Sequence, residues 1–161
     1  MRPDFEGQET GDSTEALLWQ ALSLTRSLIH EMDDLEIELG EGATRPMIEP
    51  LNNIDERIFF ALFAFVPGMH GEDEERAMAR DQHFHERFGD LPSRLGLAGT
   101  PAERIHQLLR EIRRRIGAAT IRLDVAEGDN GEFEALDELE LALDAVTDLR
   151  HELERITRSP E

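Results

Sequence analysis

The chain contains neither cysteine nor lysine in its 161 residues. The absence of cysteine excludes disulfides, a thiolate nucleophile and a cysteine-ligated metal. All 17 basic residues are arginine, and 36 acidic residues give a formal net charge of −19. Such a surface repels nucleic acid and anionic membranes unless a local basic patch prevails. The acidic surface is consistent with an adaptation that keeps the protein soluble in a salty cytoplasm, and with a genome of biased composition. It is also consistent with an inhibitor that mimics the phosphates of DNA.

Long apolar runs are scarce as well. Residues 1–12 are polar and acidic, so we expect a disordered acidic tail and not a secretory signal. The longest apolar stretch, 58–66, is far shorter than the roughly 20 residues that span a bilayer. We therefore expect a soluble cytoplasmic protein with no membrane contact, built as a single domain over 13–158.

The spacing of apolar residues predicts an all-α fold. Apolar side chains recur every three or four positions, which predicts four main helices and one short charged helix, near 13–39, 47–66, 101–127, 132–158 and 72–88. A turn at 128–131 predicts that the last two main helices form an antiparallel hairpin. We expect a helical bundle, with the short helix and the linker 89–100 crossing one end.

Local signals support two helix starts and the packing of the short helix. Residues 12–15 have the pattern of a capping box, and residues 100–103 (Thr-Pro-Ala-Glu) have the same pattern with proline in the first turn. In the short helix, Met78, Phe84 and Phe88 are the expected anchors to the bundle. The leucines of the linker predict that it lies on the core.

The second main helix is apolar on every side from Ile58 to Val66. Such a helix must be buried on several sides. Other helices, or a second copy of the protein, must therefore cover four phenylalanines, which are the predicted interface residues: Phe59, Phe60, Phe63 and Phe65. A central core helix and a partner-binding face both fit this pattern.

A run of arginines lies in the predicted helix 101–127, at Arg110, Arg113, Arg114, Arg115 and Arg122. Such a run binds phosphate or an acidic partner, or it forms ion pairs with a neighbouring helix. The hairpin register favours the second interpretation, because it places three arginine–aspartate pairs side by side: Arg122 with Asp137, Arg115 with Asp144, and Arg110 with Asp148.

Two carboxylate–histidine pairs also occur at helical spacing, Glu103 with His106 and Asp148 with His151. Carboxylate-bridged dimetal bundles use Glu-x-x-His motifs on two helices plus a carboxylate from each of two others. The hairpin would bring His106 near His151, with Glu31 or Glu56 as further carboxylates. A metal-binding bundle is therefore one candidate function, and surface histidines beside carboxylates are the simpler alternative.

The segment Arg80-Asp81-Gln82-His83-Phe84-His85, followed by Phe-Gly-Asp at 88–90, has the pattern R-D-x-x-x-H. It resembles the signature of the HEPN superfamily, small helical domains that include metal-independent ribonucleases and toxins. The resemblance implies that Arg80 binds the scissile phosphate, that His85 acts in general acid–base cleavage and that Asp81 assists, commonly across a dimer. Nucleic acid is an expected partner only in this case.

Taken together, the residues favour a non-enzymatic, self-associating interaction module, expected as a homodimer that uses the phenylalanine-rich helix or the C-terminal hairpin. No glycine-rich phosphate loop and no serine elbow occurs in the sequence, and no cofactor is expected. The ribonuclease, the metal-binding bundle and the acidic DNA mimic remain as alternatives.

Overall fold

In the computed structural model, residues 13–65, 74–125 and 132–158 are described, and every element within these ranges is a helix. The helices are α1 Thr14–Leu39, α2 Arg45–Phe65, α3 Glu74–Phe88, α4 Leu91–Arg94, α5 Pro101–Val125 and α6 Glu132–Arg158. The predicted all-α fold is confirmed, and each predicted boundary falls within two residues of the observed one. The predicted acidic tail lies outside the described residues. No helix within these ranges is long and apolar enough to cross a membrane.

The helix starts form where the capping signals predict them. Ser13 Oγ accepts a hydrogen bond from the Ala16 N–H at 3.0 Å, which caps α1. At α5, the Glu103 N–H donates to Thr100 Oγ1, and the Thr100 N–H donates back to Glu103 Oε1. This reciprocal pair is a complete capping box. Gly99 precedes it with φ +97°, a left-handed conformation that favours glycine.

Four long helices form the bundle. α1 packs chiefly on α5 and α2 packs chiefly on α6, while contacts of α1 with α2 and of α5 with α6 complete the bundle. α1 and α5 run antiparallel, since Arg104 contacts Glu31 while Arg115 contacts Gln20. The predicted contact between the last two helices is present, and the turn that would join them lies outside the described residues.

α1 has the most enclosed surface in this bundle. Residues 16–22 are all buried, because α2, α5, α3 and α4 surround this helix. The sequence there is apolar except for Gln20, so the reasoning that predicted a central α2 applies with more force to α1. α2 supplies a buried stripe that includes Leu51, Ile54 and Ile58 but keeps an exposed outer face.

The short helix α3 lies beside α1 and runs parallel to it. The ring of Phe84 stacks on Trp19 with a centroid distance of 5.5 Å, and Ser23 Oγ donates to the Phe88 carbonyl at 2.9 Å. Phe84 and Phe88 are therefore anchors, as predicted. Met78 is 70% exposed, so its predicted anchoring role is wrong. The prediction for the linker is confirmed, since Leu91 is buried and Leu95 and Leu97 pack against the core.

Candidate functional site

A groove of about 300 Å³ separates α1 from the segment that leads from the end of α3 into α4. It is termed the α1–α3 groove. Apolar rings and side chains line it at Trp19, Leu22, Phe84 and Pro92, together with Gly89. Its polar lining consists of Ser23, Arg26, Ser27, His30, His85 and Ser93. Two segments far apart in sequence thus contribute hydroxyl, imidazole and guanidinium groups to one concavity.

None of the described residues that line the α1–α3 groove is acidic. This is unusual for a chain with 36 acidic residues among 161. The groove therefore differs in charge from the surrounding surface. Its polar groups are hydrogen-bond donors or carry both donor and acceptor atoms, a lining that suits an anion.

A second cleft, of about 500 Å³, lies on the other side of Arg26 and His30, between α1 and α2. It is lined by Thr25, Ile29, Leu51, Asn52 and Asp55 in addition to the two shared residues. Arg26 therefore lies between two concavities, with its Nε 3.7 Å from Asp55 Oδ1.

Asp55 is the polar group with the most unusual environment in this cleft. Its Oδ1 is buried and accepts no hydrogen bond from a described residue, although the side chain as a whole is 43% exposed. Burial raises the pKa of the Asp55 carboxyl, and the charge of Arg26 only partly opposes that effect. The Asp55 carboxylate therefore lies near the Arg26 guanidinium, but no described residue donates a well-formed hydrogen bond to its Oδ1.

Of the residues in the HEPN-like motif, His85 is exposed and lines the α1–α3 groove. Arg80 and Asp81 belong to α3, but their side chains lie outside the part that the structure describes. Whether Arg80 and His85 converge is therefore not described, and ribonuclease activity stays a prediction. Its test is RNA cleavage by the wild-type chain, set against variants with alanine at either position.

The predicted metal ligands have different surroundings. The Glu103 carboxylate accepts the Thr100 N–H in the α5 cap, and the candidate fourth carboxylate, Glu31, bonds Arg104 at 2.7 Å. Within the described ranges, no group of three or more His, Asp or Glu side chains is arranged to hold a metal ion. The structure therefore does not bring Glu103, His106, Asp148 and His151 together as a metal centre.

The predicted interface phenylalanines differ in exposure. Phe59 and Phe63 are half-buried and pack edge to face, with centroids 5.0 Å apart. Phe60 is 44% exposed and lies under the Arg57 guanidinium at 5.9 Å. The side chain of Phe65 is outside the described part. An interface through these rings remains a prediction, with Phe60 as its accessible member.

Among the residues that the structure describes, no ion pair joins α5 to α6, so the predicted pairs do not form. Arg115 bonds Gln20 on α1 and Glu111 on its own helix. Asp137, Asp144 and Asp148 form no ion pair with any residue that the structure describes. The prediction was wrong because it assigned partners from the hairpin register alone, while α5 packs more extensively on α1 than on α6.

As a result, α5 and α6 carry exposed charges of opposite sign. Arg110 and Arg113 are exposed and unpaired among the described residues, and Arg114 approaches only Glu111, at 3.9 Å. On α6, exposed carboxylates that pair with no described residue recur along one face at Glu134, Asp137, Asp144 and Asp148. These two sets are termed the arginine stripe and the acidic stripe.

Sequence reasoning missed Arg26 and His30, although a signal was present. Residues 16–30 contain no acidic side chain, and Ser23, Ser27 and His30 recur at the spacing of one helix face. That polar face could be recognised as a site only once α3 was placed against it.

Comparison with protein-family models, curated proteins and solved structures finds no match for this chain.

Proposed function

We propose that this chain is a non-enzymatic assembly module that self-associates through the outer faces of α5 and α6. One observation carries the proposal. Neighbouring helices present an arginine stripe and an acidic stripe, and the described residues of the same chain leave nearly all of these charges unpaired. A second copy of the chain would place its acidic stripe against the arginine stripe of the first, and its arginine stripe against the acidic stripe of the first.

The spacing within each stripe fits helix-to-helix contact. On α6, exposed residues recur at intervals of three and four through Glu134, Asp137, Leu141, Asp144 and Asp148. On α5, the same kind of spacing connects Arg110, Arg114, Gly117 and Ile121. Residues at such intervals form one seam along a helix, as in coiled coils.

Each stripe also contains one exposed apolar side chain. Ile121 is 67% exposed on α5, and Leu141 is 46% exposed on α6. Arg114 precedes Ile121 by seven residues, and Glu134 and Asp148 lie seven residues on either side of Leu141. If Ile121 packs on Leu141 of a second copy, Arg114 meets a carboxylate whichever way the two helices run.

In a dimer with a two-fold axis, the charges of both stripes would be paired at once. In such an interface the same patch of each subunit is used, so α5 of one copy contacts α6 of the other and the reverse contact follows by symmetry. Gly117 lies in the α5 seam, and a Cβ built there would meet no atom within 4 Å. A neighbouring helix can therefore approach α5 closely at this position.

The test is a charge exchange between the stripes. One variant carries Arg110→Glu, Arg113→Glu and Arg114→Glu, and the other carries Asp137→Arg, Asp144→Arg and Asp148→Arg. Sedimentation velocity would be measured at an ionic strength of roughly 0.15 M, where charges beyond about 8 Å are largely screened. Because exposed ion pairs contribute only ~0.2–1 kcal/mol each, protein concentrations of roughly 100 μM are appropriate.

We expect the wild-type chain to form a dimer, each variant alone to remain monomeric, and an equimolar mixture of the two variants to form a heterodimer. The substitutions change the formal charge by equal and opposite amounts, so the mixed pair has the same total charge as two wild-type copies. A monomeric wild type, or a mixture that stays monomeric while the wild type dimerises, overturns the proposal. Phe60→Ser is the matched control, because loss of the dimer in that variant assigns the contact to α2.

A further inference from the structure

The α1–α3 groove combines a cationic lining with an apolar floor. Among the described residues, its charged and polar lining comes from Arg26, His30, His85 and three serines, and none of them carries a carboxylate. Its apolar floor consists of the half-buried Phe84 and Pro92, which lie over the buried Trp19 and Leu22, and the ring of Phe84 stacks on Trp19. Two described carboxylates lie beside this lining: Glu15 Oε2 accepts a hydrogen bond from Trp19 Nε1 at 3.1 Å, and Asp55 Oδ1 lies 3.7 Å from Arg26 Nε. In a chain of net charge −19, the lining itself offers an anion hydrogen-bond donors at close range.

The counter-charge of Arg26 lies outside the groove. Asp55 lines the neighbouring cleft and not the groove, and its Oδ1 is 3.7 Å from Arg26 Nε. The counter-charge therefore lies beside the guanidinium without occupying the groove.

The size of the groove limits the ligand. A volume of about 300 Å³ is at the lower end of the range for small-molecule sites. The apolar floor provides contact for a short hydrocarbon or ring, and the donors provide contact for an anionic head. These features do not match a long polymer, which needs an extended groove.

We infer that the α1–α3 groove binds a small organic anion, in which a phosphate or carboxylate head contacts Arg26, His30 and His85 and a short apolar body contacts Phe84 and Pro92. This site lies on α1 and α3, whereas the proposed assembly surface lies on α5 and α6. Either proposal can therefore fail while the other holds.

The test uses Trp19, the only tryptophan of the chain, as a fluorescent reporter in the groove. The full chain would be titrated with phenyl phosphate, with inorganic phosphate and with the neutral compound benzyl alcohol. We expect a saturable change in Trp19 emission with phenyl phosphate, weaker binding of inorganic phosphate, and no saturable change with benzyl alcohol. A His30→Gln/His85→Gln double variant should bind phenyl phosphate at least tenfold more weakly, because it lacks two of the three proposed contacts to the phosphate. The variant should fold normally, since both imidazoles are exposed and their loss leaves the core intact.

The matched control is His151→Gln, which removes an exposed histidine from α6, away from the groove. It should bind phenyl phosphate as the wild type does. No saturable change with any phosphate, or equal affinity of the wild type and the double variant, overturns the site. Equal affinity for inorganic and phenyl phosphate overturns the role of the apolar floor.

Discussion

At the scale of single residues, Asp55 shows how burial changes the energetics of one carboxylate. Its buried Oδ1 accepts no hydrogen bond from the part of the chain that the structure describes, and burial raises the pKa of the carboxyl above the unfolded-state value of 3.8. A raised folded-state pKa means that ionisation is less favourable in the folded chain than in the unfolded one. Its contribution to stability is therefore greatest below pH 3.8 and is lost as the pH rises through the folded-state pKa.

From this sign we predict that Asp55→Asn increases the free energy of unfolding at pH 7. The increase should be smaller at pH 4, because the raised pKa favours protonation of the folded wild-type carboxyl as the pH falls towards the unfolded-state value of 3.8. Urea denaturation at both pH values measures the difference. Asp33→Asn is the control, because it removes the same formal charge from an exposed position on α1. An equal gain from both variants at pH 7 would assign the effect to the net charge and not to burial.

At the scale of single elements, the helices were predictable because their determinants are local. Apolar spacing fixed each long helix to within two residues, and the reciprocal bonds of Thr100 and Glu103 form where the sequence pattern places them. The partners of Arg115 and the exposure of Met78 were not predictable, since both depend on which helices meet and at what offset. The α1–α3 groove has the same origin, because it requires His85 and His30 from separate segments.

The docking of α3 explains the error at Met78. Trp19 contacts Phe84 and Ser23 contacts Phe88, so both contacts have the same offset of 65 residues between parallel helices. That offset places Met78 level with Ser13, where α1 begins. α3 is therefore attached to α1 by its C-terminal part, and its other contacts with the bundle are few.

We predict that Phe84→Ala releases α3 while the four long helices stay folded. Loss of the Trp19 stack and of a partly buried ring removes the main anchor of this short helix. Hydrogen exchange followed by mass spectrometry should show faster exchange in peptides from 74–88 and little change in α5 and α6. Met78→Ala, on the same helix, should leave the exchange unchanged. Faster exchange throughout the Phe84→Ala variant would show instead that α3 and the bundle unfold together.

At the scale of the whole molecule, carboxylates outnumber their possible partners. The 17 arginines cannot compensate 36 acidic residues, even with close pairs such as Arg104–Glu31 at 2.7 Å and Arg57–Glu138 at 2.8 Å. Folding brings the excess carboxylates closer together, and their mutual repulsion opposes the compact state. Added salt screens this repulsion over distances beyond about 10 Å at 0.1 M, whereas close and partly buried ion pairs are screened less.

We therefore predict that sodium chloride raises the thermal midpoint of unfolding when it is increased from roughly 0.01 M to 0.5 M. A gain of about 1 kcal/mol corresponds to a rise of ~2–4 °C for a chain of this size. Chloride is preferable to sulfate, because sulfate also stabilises proteins through its exclusion from their surface. The Asp137→Arg/Asp144→Arg/Asp148→Arg variant carries less net charge, so its midpoint should rise less over the same range. A midpoint that falls with salt would mean that the arginine–carboxylate pairs, and not the excess charge, dominate the electrostatic free energy of folding.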